Sequence, residues 1–408
     1  MQPEPATSSA PVRARILELD ALRGLAVIGI AWMNVHAFAL PLQAYYNPVS
    51  YGLEGLADRL VWLASFVFIE DKFRTLFAML FGAGCLILIE REAERGSEGL
   101  ARWRAHGARM AVLFAIGLAH ALLLASNDVL RAYALAGLLI PLVARLSVSA
   151  LCAIAVGSLC VHVGAGMVVF GSGVIDFYAS RLTSDAVMFA ERNFGSDPAA
   201  IAYSLELGRE SFAERIARRS GGLVGQMEAV LSSVPLNFSA MALGMALWRH
   251  GMLKGEWRTF RLQRLAAVCA LVAFVGLLPL AWWVSGAGFP GALMGPVALV
   301  ASAPFDMALG LAYAAIAMAF FAKGGAITRV LAAAGRLSLT NYVLTSLVFA
   351  ALFASWGLSL FGEVSRLEAF ALSFVPIALI CLVSPVWLAA LGQGPLERLW
   401  RAAARLLS

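Results

Sequence analysis

The sequence predicts an all-α fold, a polytopic integral membrane helical bundle of about ten transmembrane helices with both termini cytoplasmic. Three observations carry this. Hydrophobic residues make up 61% of the 408 and charged residues 14%, with a mean hydropathy of +0.81; a soluble domain is about half apolar and roughly a quarter charged. Apolar runs recur from residue 21 to residue 392 without a long polar linker. Lys and Arg alternate between successive short loops. With the N-terminus inside, 20 of the 31 fall on the inner side, and six of the other 11 lie in one long insertion, where orientation rules have least force. The net charge of +6 then follows from orientation, so the lipid bilayer is the expected partner and nucleic acid is not.

Taken in order, residues 1–19 read as a disordered cytoplasmic tail. The opening MQPEPATSSAPVRARI is rich in Pro, Ser and Ala and lacks the apolar region of a signal peptide. Stretches of about 18 or more residues free of unpaired charge mark ten spans: 22–41, 73–90, 108–126, 129–146, 149–171, 229–249, 262–284, 298–322, 337–357 and 367–392. They divide the chain into an N-terminal membrane half (20–171), an extracytoplasmic insertion (172–228) and a C-terminal membrane half (229–408). Segments 57–69 and 288–297 are too short to cross, and either lie along the interface or enter partway. The insertion carries Glu206 with Arg209 and Glu214 with Arg218 at helical spacing. It is expected to form two or three amphipathic helices that cap a cleft or cover the bundle. The five cysteines sit at irregular spacing inside apolar runs, as small packing residues rather than disulfide or metal ligands, and no metal is expected.

Ionisable groups within spans are the first candidates for a site. In span 1, Asp20, Gly24, Val27, Ala31 and Asn34 share one narrow face. Gly24 and Ala31 would let a neighbour approach closely, and Asn34 would be buried against it. Asp20 and Arg23, at the inner end, can pair with each other or meet a phosphate. His36 points away from Asn34 at the outer lip, an interfacial position. The run FIEDKFRTLF places Glu70, Asp71, Lys72 and Arg74 within five residues. These charges either neutralise one another at the surface or line a recess where Lys72 could meet an oxyanion.

His120 lies about 9 Å below the outer end of span 3 at ~1.5 Å per residue, too deep to reach water. The turn Ser126–Asn127–Asp128 folds spans 3 and 4 into a hairpin, with Tyr133 the nearest expected polar neighbour of His120. Asp128 stands where it would cap span 4, and Asp128 and Arg131 are assigned to the outer rim. A direct His120 to Asp128 bond requires the hairpin to bend inward. In span 9, Ser338, Asn341 and Thr345 form one polar stripe with Tyr342 beside it, either interhelical glue or part of a site. Asp306, after Pro304 in an irregular part of span 8, needs a partner or a cavity. There is no phosphate-binding loop, dinucleotide fingerprint, zinc-protease motif or serine-hydrolase elbow.

The stretches LDALRGLAVIGIAWMNVHAFALP, FIEDKFRTLFAMLFGAG, IGLAHALLLASNDVLRAYALAGLL, SAPF, GRLSLTNYVLTSLVFAALF and GPLERLW, in this order and spacing, resemble the bacterial YeiB family of multispan inner-membrane proteins of unknown function. His120, Asp128, Lys72, Asn341 and Tyr342 match that pattern, while Asp71 stands where the family more often has a small residue. The first half, with Asp20, Arg23, Gly24 and Asn34, is also similar to the heparan glucosaminide acetyltransferase group of transmembrane acyltransferases. Those enzymes pass an acyl group from cytoplasmic acyl-CoA to an acceptor across the membrane by means of a histidine between spans 1 and 2. Here residues 42–71 contain no histidine.

The resemblance implies an acyltransferase with acyl-CoA as co-substrate and a small-molecule or glycan acceptor. On that reading His120 is the general base, held by Tyr133 or less directly by Asp128, and Lys72 with Asn34 stabilises the oxyanion. Asp20, Arg23, Arg336, Asn341 and Tyr342 form the CoA-binding set, with the inner arginines on its phosphates. Two other readings stay open: a permease for a small polar or anionic solute, and a scaffold with a structural polar core. Homodimerisation is left open.

Overall fold

In the computed structural model, which describes residues 16–94, 96 and 99–407, all the regular structure is helical. Residues 1–15 of the expected tail lie outside the described residues, and residues 17–19 already belong to the first helix. The main helices are α1 (Leu17–Ala39), α2 (Lys72–Glu94), α3 (Gly99–Leu123), α4 (Val129–Gly137), α5 (Val148–Tyr178) and α6 (Leu223–Arg249). They continue with α7 (Thr259–Gly286), α8 (Ala303–Phe321), α9 (Ala326–Arg336), α10 (Ser338–Phe353), α11 (Phe374–Leu391) and α12 (Pro395–Leu407).

Among the described residues eight helical stretches are long and apolar enough to cross a membrane, or nine if α9 and α10, bent by 85°, count as one span. Expected span 129–146 is not one helix: α4 stops at Gly137, and a short turn, Ile140–Val143, completes the passage. Its two ends still lie at opposite levels. Arg131 bonds Gln226 at the start of α6, and Arg249 at the end of α6 donates to the Ala144 and Leu146 carbonyls.

Helices α2 and α6 form the centre, and α2 also packs on α1 and α8. Small residues make these contacts close. A Cβ on Gly24 would fall 2.0 Å from the Leu331 carbonyl oxygen, and one on Gly335 1.8 Å from that of Asp20. The α1 to α9 crossing is therefore backbone on backbone, as Gly24 led us to expect. Gly82 and Gly244 do the same between α2 and α6. By contrast α5, α7 and α11 turn apolar side chains such as Val168, Leu271 and Leu382 outward, the surface that lipid would cover.

The short segments are recruited inward. Leu56–Ala64 runs into a π turn, Ser65–Ile69, and the chain enters α2 through Asp71 at φ 58°. The Gly291–Ala301 segment buries Leu293 and Met294 and ends in another π turn just before Pro304. The insertion supplies three short helices, Asp185–Phe194, Pro198–Gly208 and Phe212–Gly221. Each is N-capped by its own side chain, from Ser184, Asp197 and Ser211. They cover the bundle: Gln43 donates to Arg192, Asn47 to Phe194, and Arg219 to the Leu122 and Leu124 carbonyls. Burial, with Arg215 and Arg218 alongside, pushes the Arg219 guanidinium down to about 10.

Candidate functional site

Helix α3 ends just beyond His120, and the following turn brings Asp128 to the N-cap of α4. There its Oδ2 accepts the Arg131 amide at 2.9 Å, the ordinary duty of a capping carboxylate. Its other oxygen faces into the bundle, 3.0 Å from His120 Nδ1. The N–H does not point along that line, so this is a close electrostatic contact rather than an aligned hydrogen bond. The hairpin does bend inward, and Asp128 takes the place expected for Tyr133.

The second ring nitrogen, Nε2, lies 2.9 Å from Ser346 Oγ on α10. One turn earlier on that helix the Tyr342 ring sits 4.9 Å from the imidazole, and its hydroxyl 3.4 Å from Asp128 Oδ1. Exposure is 4% for His120, 4% for Asp128, 6% for Tyr342 and 2% for Ser346, so water does not compete for these contacts. Arg131 completes the cluster, with Nε 3.7 Å from Asp128 Oδ2 and its guanidinium on the Ser126 carbonyl at 2.8 Å. Expected at the rim, it is 1% exposed, because Gln226 at the start of α6 covers it and accepts at 3.2 Å. A carboxylate beside a guanidinium is acceptor only. Nδ1 therefore carries the ring hydrogen, and Nε2 accepts from the Ser346 hydroxyl, an assignment that rests on this network.

Other predicted site residues are engaged elsewhere. The Tyr133 hydroxyl donates to the Arg74 carbonyl at 2.7 Å, and its ring stacks on Phe77 and packs against Phe81. Lys72 pairs with Asp306 at 2.6 Å and also donates to the Phe66 carbonyl, which the π turn points inward. Asp71 pairs with Arg74 at 2.9 Å. Thus Lys72 does occupy a recess, but its charge is met by Asp306 and not offered to His120. Asn341 ties α10 to its neighbours through the Ala334 carbonyl at 2.9 Å and Ser384 Oγ at 3.0 Å. Asn34 is buried on α1. His36, expected at the interface, is buried with Nε2 3.3 Å from the Arg366 carbonyl, because the Arg366–Leu372 turn folds over it.

At the end of the bundle that the arginine pattern assigns to the cytoplasm, a cavity of about 1780 Å³ opens, well above the ~300–1,000 Å³ of an ordinary ligand pocket. Among the described residues its walls carry eight Lys and Arg, Arg23 and Arg336 among them, against four acidic side chains. Arg23 pairs with Asp20 at 3.0 Å, and Arg336 reaches the Gly392 carbonyl at 3.4 Å. The lining follows α2 from Glu94 up to Phe77, roughly 25 Å at ~1.5 Å per residue. Charged side chains ring the mouth, and Phe77, Leu80 and Phe81 line the depth. Phe77 packs against the cluster of Val27, Ala334 and Ile380, and the Ala334 carbonyl holds Asn341, the neighbour of Tyr342.

Two features escaped the sequence reading. Ser346 was passed over because Ser338, Asn341 and Thr345 define a more obvious stripe. The signal was its four-residue spacing from Tyr342, which puts both on one face. The amphipathic α12 was not recognised as a wall of the cavity, which it forms with Trp400, Arg401 and Arg405.

Comparison with known proteins gives family but no chemistry. The family described as "Protein of unknown function (DUF418)" matches residues 247–406. The chain is 32% identical to "Uncharacterized protein YeiB" of Escherichia coli (strain K12) over 95% of each chain. It is 26% identical to "Uncharacterized protein YxaH" of Bacillus subtilis (strain 168), over 96% of this chain and 94% of that one. A stretch of 125 residues is 33% identical to "Uncharacterized 39.9 kDa protein in amylase 3'region" of Bacillus acidopullulyticus, over 31% of this chain and 33% of that one. No solved structure matches.

Proposed function

Since this chain belongs to the YeiB family of membrane proteins of unknown function, we propose its activity from the site: an acyltransferase of the bacterial cytoplasmic membrane. It moves an acyl group from acyl-CoA on the inner side to a polar acceptor on the outer side. The observation that carries this reading is the cavity, lined by basic residues and, along α2, by apolar ones as far as Phe77, in a bundle that also buries the His120 cluster. CoA has the matching polarity, with phosphates at one end and a thin pantetheine arm ending in the thioester at the other. Arginines on the wall, among them Arg23, Arg91, Arg336 and Arg401, hold the phosphates. The arm lies along α2 toward Phe77. His120, with Nδ1 held toward Asp128, keeps Nε2 free of a proton and able to accept one from a hydroxyl. Tyr342 closes one face of the ring. The acceptor is a hydroxyl or amine on a small molecule or glycan.

The test is direct. Protein in lipid nanodiscs should bind CoA with an affinity that falls as salt rises, and should consume labelled acetyl-CoA when polar acceptors are supplied. Absence of CoA binding at low salt would end this reading. A permease is the second reading, favoured by the buried Lys72 to Asp306 pair, since ion pairs within a bundle often mark transport paths. Solute counterflow in proteoliposomes without acyl-CoA consumption would support it.

A further inference from the structure

We infer that Ser346 is the acyl carrier of this site: the acyl group passes from CoA to Ser346 Oγ and then to the acceptor. The inference rests on the acyltransferase reading above and deepens it.

Geometry is the first argument. Ser346 Oγ, His120 Nε2, His120 Nδ1 and Asp128 Oδ1 follow one another at 2.9 Å across the first gap and 3.0 Å across the second. A hydroxyl, an imidazole and a carboxylate follow in the order that activates a serine on many unrelated folds, here with the carboxylate acting on the ring through charge at 3.0 Å and not through an aligned hydrogen bond. The three residues come from α10, α3 and the cap of α4, so helix packing and not local sequence brings them together.

The second argument compares Ser346 with its neighbour. A hydroxyl inside a membrane helix ordinarily bonds the carbonyl four residues back. Thr345 does so, to Asn341 at 2.8 Å. Ser346 does not close that bond well: its Oγ is 3.4 Å from the Tyr342 carbonyl and 2.9 Å from the histidine. Its hydrogen bond goes to the base.

Depth is the third. Helix α10 starts at Ser338, on the wall of the cavity, and Ser346 lies about 12 Å further along it at ~1.5 Å per residue. His120 is three residues from the outer end of α3, about 4.5 Å at ~1.5 Å per residue. In a hydrocarbon layer of ~30 Å, an acyl-serine at this level stands between the two substrates. CoA and acceptor then need not occupy the site together.

The step balances. His120 Nε2 takes the Ser346 proton as Oγ attacks the thioester carbonyl. The C–S bond breaks, CoA leaves as the thiol with that proton, and the serine ester remains. In the second half the acceptor hydroxyl or amine attacks the ester, His120 takes its proton and returns it to Ser346 Oγ, and the acylated acceptor departs. No oxidant, reductant or further reactant is needed.

The experiment uses the full chain in nanodiscs with [14C]acetyl-CoA and no acceptor, followed by acid quench and counting of protein-bound label. The wild type should hold stoichiometric label that resists neutral hydroxylamine and is released by alkaline hydroxylamine, as an oxygen ester is, on the peptide containing Ser346. Ser346→Ala should reduce the label to background. Ser346→Cys should restore it as a thioester, which shows that the position and not the fold was lost. A fluorophosphonate probe should label the wild type and not Ser346→Ala, a readout independent of CoA. Equilibrium binding of a non-transferable acetyl-CoA analogue separates the two levels. If the analogue binds and acceptor is acetylated, yet no label forms and Ser346→Ala turns over normally, transfer is direct and this inference is wrong while the acyltransferase reading stands. If neither CoA nor the analogue binds, both fall together.

Discussion

The pair between Lys72 and Asp306 should be the costliest single contact to break. Nζ and Oδ1 are 2.6 Å apart, with side-chain exposures of 1% and 3%. At an effective dielectric of about 20 their attraction is about 6 kcal/mol at that separation, set against a desolvation cost of several kcal/mol for each ion. The net worth of the pair is therefore modest, but removal of one partner strands the other charge. Lys72→Met or Asp306→Leu alone should each lose about 3–5 kcal/mol of stability. The double variant leaves no stranded charge, and the Phe66 carbonyl loses its Lys72 donor, worth about 1 kcal/mol. It should thus recover most of the loss, with a coupling of about 3 kcal/mol or more. The assay is a double-mutant cycle on reversible unfolding in mixed detergent micelles. Single variants that each cost under about 1 kcal/mol, or effects that add within ~0.5 kcal/mol, would refute the reasoning.

Other expectations follow from the same contacts. His120→Ala should lower acetyl transfer by about 10²–10⁴-fold while CoA binding persists, measured by turnover and by titration on one preparation. Asp128→Asn keeps an N-cap but leaves the buried Arg131 without its countercharge, so unfolding should shift by up to about 3–5 kcal/mol; transfer should fall by two or more orders of magnitude because the ring loses its electrostatic anchor, as turnover beside a thermal scan would reveal. The double variant Ser346→Ala with His120→Ala should be no slower than the worse single one, since residues acting as a unit do not add. Gly335→Leu would drive a side chain into the Asp20 carbonyl and should cost more than ~1–3 kcal/mol, the usual penalty for overpacking, because backbone cannot yield as a side chain can. Charge reversal at Arg91 and Arg401, both on the cavity wall, should weaken CoA binding and flatten its salt dependence in a titration series.

The membrane class and most spans were legible because hydrocarbon demands about twenty apolar residues per helix, a signal no tertiary contact can disguise. Gly24 was legible for a similar reason: a bare α carbon on a small-residue face has few uses other than close approach. The break at Leu138 was not, since LAGLLIPLVA is as apolar as a continuous helix. At the site, His120 stood out by depth alone. Its partners did not, because one comes from across a bend that periodicity cannot foresee and the other, Ser346, lies 226 residues away in sequence. Lys72 was legible as a charge in a recess, but its partner Asp306 was not, since it is equally remote in sequence.

Glu397 has a reach beyond its own helix. From α12 it accepts the Leu339 and Thr340 amides and the Thr340 hydroxyl, a carboxylate set against the positive end of α10. The thirteen residues Pro395–Leu407, lying at the cavity end of the bundle, therefore help to set how high α10 stands and with it the level of Ser346 opposite His120. A chain cut short before Pro395 would still carry every span, yet its hydroxyl would no longer be held in register with the imidazole. An alteration at this end of the bundle would be felt about 12 Å away along the helix, where the chemistry is proposed.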